Sequence, residues 1–220
     1  MSVSGLFLVL FLLFHMSMNL AAVFSTEAYN AICEFLGANW YALAGTLILA
    51  AGVVVHLVYA TVLTLHNRSS RGSQRYAMTA EPEGVTWASR NMYVLGIIIV
   101  LGLLLHLYNF WYNMQFAEII GNHELGPFPP ADGAAYIAAL FSSPVYCIIY
   151  LVWFAAIWFH LTHGFWSAFH TIGWDNQTWL PRLKRIAYVV ATIVFLCFAL
   201  VVIVFYLRSL GVCGGSCAGF

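Results

Sequence analysis

Residues 92–107 read MYVLGIIIVLGLLLHL, and this run decides the fold. It holds no Asp, Glu, Lys or Arg, and its one imidazole, His106, lies near its far end. Extended to 87–115 it is long enough, at about 1.5 Å per residue, to cross a hydrocarbon layer about 30 Å thick. Four more stretches read the same way, at 3–25, 40–66, 141–170 and 186–207. In lipid only a helix satisfies its own backbone, barrels aside, so the expected fold is all-α: an integral membrane bundle of five transmembrane helices forming one domain over 1–220. Between the spans lie loops rich in turn residues, at 27–39, 67–84 with Pro82 and Gly84, 121–133 with Pro127, Pro129 and Pro130, and 173–181.

Composition agrees. Of 220 residues 63% are hydrophobic and 7% charged, whereas soluble domains carry about a quarter charged residues. Eight Lys+Arg balance eight Asp+Glu, which leaves no polycationic surface for nucleic acid. The five cysteines show no disulfide framework, and Cys213 and Cys217 near the C-terminus read as a tail open to oxidation in the outer compartment, not as a metal site.

Position of charge orients the chain. Arg68, Arg71, Arg75 and Arg90 flank the second connection, and Arg182, Lys184 and Arg185 the fourth. The first and third connections hold Glu27, Glu34, Glu118, Glu124 and Asp132 with no Lys or Arg. The positive-inside rule then puts the N-terminus in the cytoplasm and the C-terminus outside, with Trp40, Trp87, Trp111, Trp174 and Trp179 as interfacial anchors. The first span resembles a signal peptide only superficially. It lacks a basic flank, and His15 interrupts it, so it is expected to remain as a span.

The deep titratable groups of the spans are histidines: His15, His56, His106, and the close pair His160 and His163. Burying such a group in lipid costs a few kcal/mol, and its default reading is functional. His56 and His160 each precede the cytoplasmic end of their span by ten residues, which places both about 15 Å from that face. His15 and His106 lie roughly 21–24 Å from it. Two imidazoles at one depth on facing helices can grip one metal from opposite sides. Zinc normally takes four protein ligands, including thiolate or carboxylate, and none is near. Bis-histidine haem fits best, and six-coordinate haem of that kind carries electrons. Gly52, Gly102 and Ala156 lie four residues before His56, His106 and His160 on the same helical faces, where a flat gap for a macrocycle is expected. His15 has Phe11 and Asn19 in the corresponding places. His163 competes with His160 on nearly the same face, and His66, His123 and His170 fall at span ends or in a loop, where solvent or haem propionates are the expected contacts.

The segments Ser4-Gly5-Leu6-Phe7-Leu8 running to His15-Met16, Ser89-Arg90-Asn91-Met92, Leu105-His106-Leu107, and His160-Leu161-Thr162-His163-Gly164-Phe165-Trp166 with Gly173-Trp174 resemble the cytochrome b membrane subunit of succinate dehydrogenases and fumarate reductases. The likeness covers nearly the whole chain and is nearest to the diheme, single-polypeptide type of Bacteroidetes. It implies a bacterial inner-membrane protein with two haem b groups. His56 and His160 would hold the inner one and His15 and His106 the outer one, with His160 favoured over His163 by its distance from Gly173-Trp174. It further implies an iron–sulfur subunit and a flavoprotein subunit with FAD on the cytoplasmic side, menaquinone in the lipid bilayer, and a complex that can dimerise. The subunit serves fumarate reduction and succinate oxidation alike.

Quinone chemistry moves two protons with two electrons and needs an acid or base in contact with water. The resemblance points to Glu34 in the first outer loop, with Glu27 and Glu118 as alternatives. Two departures limit the carry-over: Trp158 stands where some members have a membrane glutamate two residues before the span-four ligand, and the polar N-terminal extension usual in the family does not precede span one. The basic cytoplasmic residues Arg68, Arg71, Arg75, Arg182, Lys184 and Arg185 suit either an acidic docking face or lipid headgroups and topology alone. Two rival readings are the diheme cytochrome b of a membrane hydrogenase or formate dehydrogenase, and a haem-free proton-coupled transporter. The transporter normally carries inverted repeats and broken helices, for which the sequence gives no sign.

Overall fold

The computed structural model describes residues 1–37, 39–71, 86–174 and 176–212, with Arg71 described for its backbone alone. The side chain of Arg71, and Arg75, Pro82, Gly84, Cys213 and Cys217, lie outside the described residues. The architecture is all-α, a membrane helical bundle. Five of its helices are long and apolar enough to cross a membrane: Ser2–Phe24, Trp40–Ser70, Met92–Ile119, Pro144–Thr171 and Trp179–Ser209.

In chain order, α1 (Ser2–Phe24) stops where Ser25 turns extended at φ −152°, and the Ser25 hydroxyl then accepts a hydrogen bond from the Ala28 N–H to cap α2 (Thr26–Phe35). The first outer connection, expected as a loop, is therefore largely a short helix whose inner side buries Tyr29. Helix α3 (Trp40–Arg71) follows. Trp87 belongs to a separate turn, α4 (Trp87–Arg90), closed by a capping box in which Thr86 and Ser89 satisfy each other's backbone N–H. The third span thus starts at Met92, not 87, as α5 (Met92–His106), and continues through a π-helical stretch, Leu107–Phe116, into α6 (Ala117–Ile119). The fourth also starts later than expected. Phe141 closes an outer helix α7 (Gly133–Phe141), and Pro144, whose missing N–H costs nothing at a helix start, opens α8 (Pro144–Thr171). Helix α9 (Trp179–Ser209) begins before the expected 186, so that Arg182, Lys184 and Arg185 ride on its first turns. At the end of α8, Gly173 takes φ +97°, and the Trp174 N–H donates to the Phe169 carbonyl. A residue with Cβ would strain there, which accounts for the Gly-Trp pair.

Packing is lopsided. Helices α8 and α9 form the central pair, α1 lies against both, α5 packs on α8, and α3 touches mainly α1. Small residues such as Ala187 and Ala191 are buried on α9 and allow close helix approach, while Phe154 and Phe198 stack at 5.2 Å between α8 and α9. Outside this core the long helices present Leu, Ile, Val and Phe to their surroundings, a surface suited to lipid and not to water. Arg208, the one Lys or Arg away from the second and fourth connections, donates from Nη2 to the Val23 carbonyl at 2.8 Å and so closes the C-terminal end of α1.

Helix α3 is the least covered span, and Gln115 on the third span is its polar tether. The Gln115 side-chain carbonyl accepts from Thr46 Oγ1 (2.8 Å) and Trp111 Nε1 (2.9 Å), and its amide donates to the Gly37 carbonyl (3.2 Å). Interhelical bonds of this type average about 0.6 kcal/mol in membranes, and two of the three, to Thr46 and Gly37, leave the third span, so Gln115→Leu is expected to cost roughly 1 kcal/mol. Thermal unfolding of the variant in detergent should show a lowered midpoint. An unchanged midpoint would mean that the tether contributes nothing.

Candidate functional site: two imidazole couples

The structure brings the four histidines together in the pairs expected from depth. His15 on α1 and His106 on α5 lie with ring centroids 5.7 Å apart and planes at 88°. His56 on α3 and His160 on α8 lie 6.3 Å apart at 67°. A metal–imidazole bond of about 2 Å plus roughly 1 Å from nitrogen to ring centre puts two imidazoles on opposite sides of one metal about 6 Å apart. Both couples have that spacing.

The helices joined by these rings are not packing partners. Among the described residues, neither α1 with α5 nor α3 with α8 is in close contact along its length, and each couple reaches across between neighbours that meet other helices instead. No three or more His, Cys, Asp or Glu residues come together as a metal-binding group among the described residues. Ligands offered in twos suit a metal whose equatorial positions are filled by a macrocycle, and a bare zinc ion poorly. The Nδ1 atoms of His106 and His160 are buried without hydrogen-bond partners. An orphaned buried polar atom costs about 1–3 kcal/mol, which packing alone does not justify. His56 Nδ1 lies 3.3 Å from the Ser4 hydroxyl, and His15 Nε2 lies 3.3 Å from the Asn19 side-chain amide, so His15 has a local partner that a metal bound at Nε2 would displace.

The glycine positions differ from expectation in one respect. A Cβ on Gly52 would fall 2.7 Å from the Phe7 ring, and one on Gly102 would collide with the Trp153 indole. The flat gaps expected beside Gly52 and Gly102 are therefore not open: Phe7 and Trp153 occupy them, with Trp153 Nε1 donating to the Ile99 carbonyl at 3.0 Å. A macrocycle and these two rings cannot share the space. The spacing of the imidazoles suits such a group, whereas the space beside Gly52 and Gly102 does not admit one with Phe7 and Trp153 where they stand.

His160 and His163 are now separated in role. His160 faces His56, whereas His163 packs edge-on to Trp166 at 5.0 Å and lines a different cavity. His66 and His170 are exposed at helix ends, and exposed His123 sits 3.9 Å from the Glu118 carboxylate.

At the outer surface Glu34 is exposed on α2 and lines an open cavity of about 370 Å³ with Glu27, Asn30 and Asp132. Asp132 caps α7 through the Ala135 N–H and accepts from Asn30 Nδ2 (2.8 Å), which ties α7 to α2. Glu27 is held below the usual carboxylate range by its own backbone N–H and then by the Ser25 hydroxyl. The group that links α2 to the outer couple is Tyr29. Its hydroxyl donates to Asn19 Oδ1 at 3.1 Å, and Asn19 in turn approaches His15. Burial holds the Tyr29 phenol well above its ordinary value, so it stays protonated and able to donate. Tyr29 escaped the sequence reading because it lies in a segment with no deep position of its own. The polar run Asn109, Asn113 and Gln115 was the one available sign of the π-helical stretch that starts directly after His106, and such stretches are often found at functional sites.

Comparison with protein-family models, with curated proteins and with solved structures finds no match to this chain. What fold and site define together is a multi-pass helical membrane protein with paired intramembrane imidazoles in two layers.

Beside Tyr29, burial pushes the Cys33 thiol up to about 11. Thiolate is then about a thousandth of the population at pH 8, and maleimide labelling of Cys33 in the folded protein should be slow and climb tenfold per pH unit through pH 10. A rate that levels off near pH 8.5 would show an ordinary exposed thiol.

Proposed function

We propose that this chain is the diheme cytochrome b membrane anchor of a succinate:quinone oxidoreductase, a succinate dehydrogenase or fumarate reductase, and carries electrons between menaquinone and an iron–sulfur subunit on the cytoplasmic side. The observation that carries the reading is the similar, metal-compatible spacing of the two imidazole couples, 5.7 and 6.3 Å, across helices that are not main packing pairs. The sequence resemblance supplies the partners: the iron–sulfur subunit, the flavoprotein with FAD, and the setting in a bacterial inner membrane with the N-terminus in the cytoplasm.

In this reading His56 and His160 hold the inner haem b and His15 and His106 the outer one. Haem with two imidazole ligands supplies one-electron transfer without an open site for oxygen. The chain's own residues do the rest. Ser4 hydrogen-bonds to the His56 ring and steadies it, and Asn19 with Tyr29 fixes the surroundings of His15. The surrounding aromatic rings exclude water. Glu34, at its open outer cavity, is the proposed proton-exchanging group for quinone. The chain binds no dicarboxylate in this scheme, and the basic residues Arg68, Arg182 and Arg185 face the side where the catalytic subunits would dock.

A pyridine haemochrome assay on purified protein should give two haems per chain, and each of His15→Ala, His56→Ala, His106→Ala and His160→Ala should lower this by one or prevent assembly. His163→Ala should keep both. Protein without Soret absorbance would end the diheme reading, and co-purification with a nickel or molybdenum subunit would transfer it to a hydrogenase or formate dehydrogenase. Gly102→Leu should keep the helix content measured by circular dichroism and lose the outer haem, because a side chain there meets the Trp153 indole beside His106 and leaves it no room to give way.

A further inference from the structure

Two of the four paired imidazoles touch polar groups whose own protons are already committed, and this decides where the ring proton lies. On α1, Asn19 Nδ2 lies 2.8 Å from the His15 carbonyl oxygen and 3.3 Å from His15 Nε2, while Asn19 Oδ1 accepts from the Tyr29 hydroxyl at 3.1 Å. A carbonyl only accepts, so the amide atom that faces it is the NH2 and not the oxygen. One amide proton goes to that carbonyl and the other to His15 Nε2, which therefore accepts. In a neutral ring an accepting Nε2 leaves the proton on Nδ1.

His56 reaches the same state from its other nitrogen. The Ser4 hydroxyl donates to the Met1 carbonyl at 2.8 Å, and its oxygen lies 3.3 Å from His56 Nδ1. A hydroxyl has one proton, here committed to the carbonyl, so its oxygen accepts from the ring and Nδ1 carries the proton. The opposite members, His106 and His160, have Nδ1 atoms buried with no hydrogen-bond partner. Each couple thus joins one imidazole whose proton is fixed by its neighbours to one whose proton is not. Whichever group bonds one ring nitrogen decides which nitrogen is left to a metal.

We infer that Asn19 with Tyr29, and Ser4, are positioning residues that hold His15 and His56 in the Nδ1–H form, so that each couple contains one Nε2 lone pair set before any metal is bound. Free histidine prefers its proton on Nε2, so this form is imposed by the fold. The position of the protons stands on the hydrogen bonds alone, while its use, to offer Nε2 to iron, rests on the diheme reading.

Nitrogen-15 solid-state NMR of the full chain, labelled at histidine, made without haem and placed in phosphatidylcholine nanodiscs, tests it, because protonated and bare ring nitrogens resonate far apart. His15 and His56 are assigned by the signals lost in His15→Leu and His56→Leu. Both are expected with the proton on Nδ1. Tyr29→Phe and Asn19→Ala should each turn His15, and Ser4→Ala should turn His56, to a majority Nε2–H form without altering the other ring. Ser4→Thr, which keeps a hydroxyl, should keep Nδ1–H, and Ser17→Ala, which removes a hydroxyl of α1 bonded to the Leu13 carbonyl, should change neither. A proton on Nε2 of either histidine in the parent chain, or forms that none of the substitutions moves, overturns the inference. If circular dichroism shows that the haem-free chain does not fold, the haem-loaded protein gives the second readout. There Tyr29→Phe should shift the low-spin EPR signal and midpoint potential of the outer haem alone, and Ser4→Ala those of the inner haem alone, with Ser4→Thr like the parent. Signals that stay put, or that move alike in both variants, overturn it equally. A haem-free chain with both protons on Nδ1 that takes up no added haem would sink the diheme reading and keep the inference. A two-haem protein whose haem-free form carries these protons on Nε2 would do the reverse.

Discussion

An imidazole in a hydrocarbon layer must find a partner, and the inner half of this structure is organised by that requirement. An uncompensated titratable side chain in lipid costs a few kcal/mol, as much as several interhelical hydrogen bonds. Here four such groups are set in two couples at 5.7 and 6.3 Å. The compact α1–α8–α9 core fixes His15 and His160, and the less covered α3 and α5 bring His56 and His106 to meet them. Helix α3 gains little from burial, so its position depends on few ties: its packing on α1, the Gln115 tether, and the approach of His56 to Ser4 and His160.

The two ends of the bundle differ in kind. The outer end is closed by short helices, with α2 and α7 joined through Asn30 and Asp132 and Arg208 sealing α1. Its exposed carboxylates include Glu27 and Glu34. At the opposite end, two basic residues of the fourth connection build structure: Lys184 lies over Trp166, and Arg182 lies over Trp179 at 5.5 Å. One set of residues thus satisfies the charge asymmetry of a membrane protein and holds the faces of two tryptophans. Neither reading of the basic residues as headgroup or docking contacts included that second use.

The spans, their number and the depth pairing of the histidines were legible in the sequence, because hydropathy and a fixed rise per residue depend on local composition alone. Less legible were the span limits at Met92, Pro144 and Trp179, where caps and a proline, not hydropathy, set the start. The helices α2 and α7 were read as loop or left unassigned because each is too short to carry a hydropathy signal and is held by side-chain bonds from a partner distant in sequence.

What the sequence determined by itself was the solvent, the five crossings and the level of each imidazole, since these follow from how much apolar chain lies between polar ends. What only the tertiary structure decided was direction around the helix axis and who meets whom. It turned His160 toward His56 and His163 toward Trp166, filled the glycine-backed spaces with Phe7 and Trp153, and joined Tyr29 through Asn19 to His15. Three residues along a helix are about 4.5 Å of rise and leave their side chains about 60° apart around the axis, enough to meet different neighbours. Depth can be counted along one chain, whereas facing is fixed only when several helices pack and exclude every other rotation.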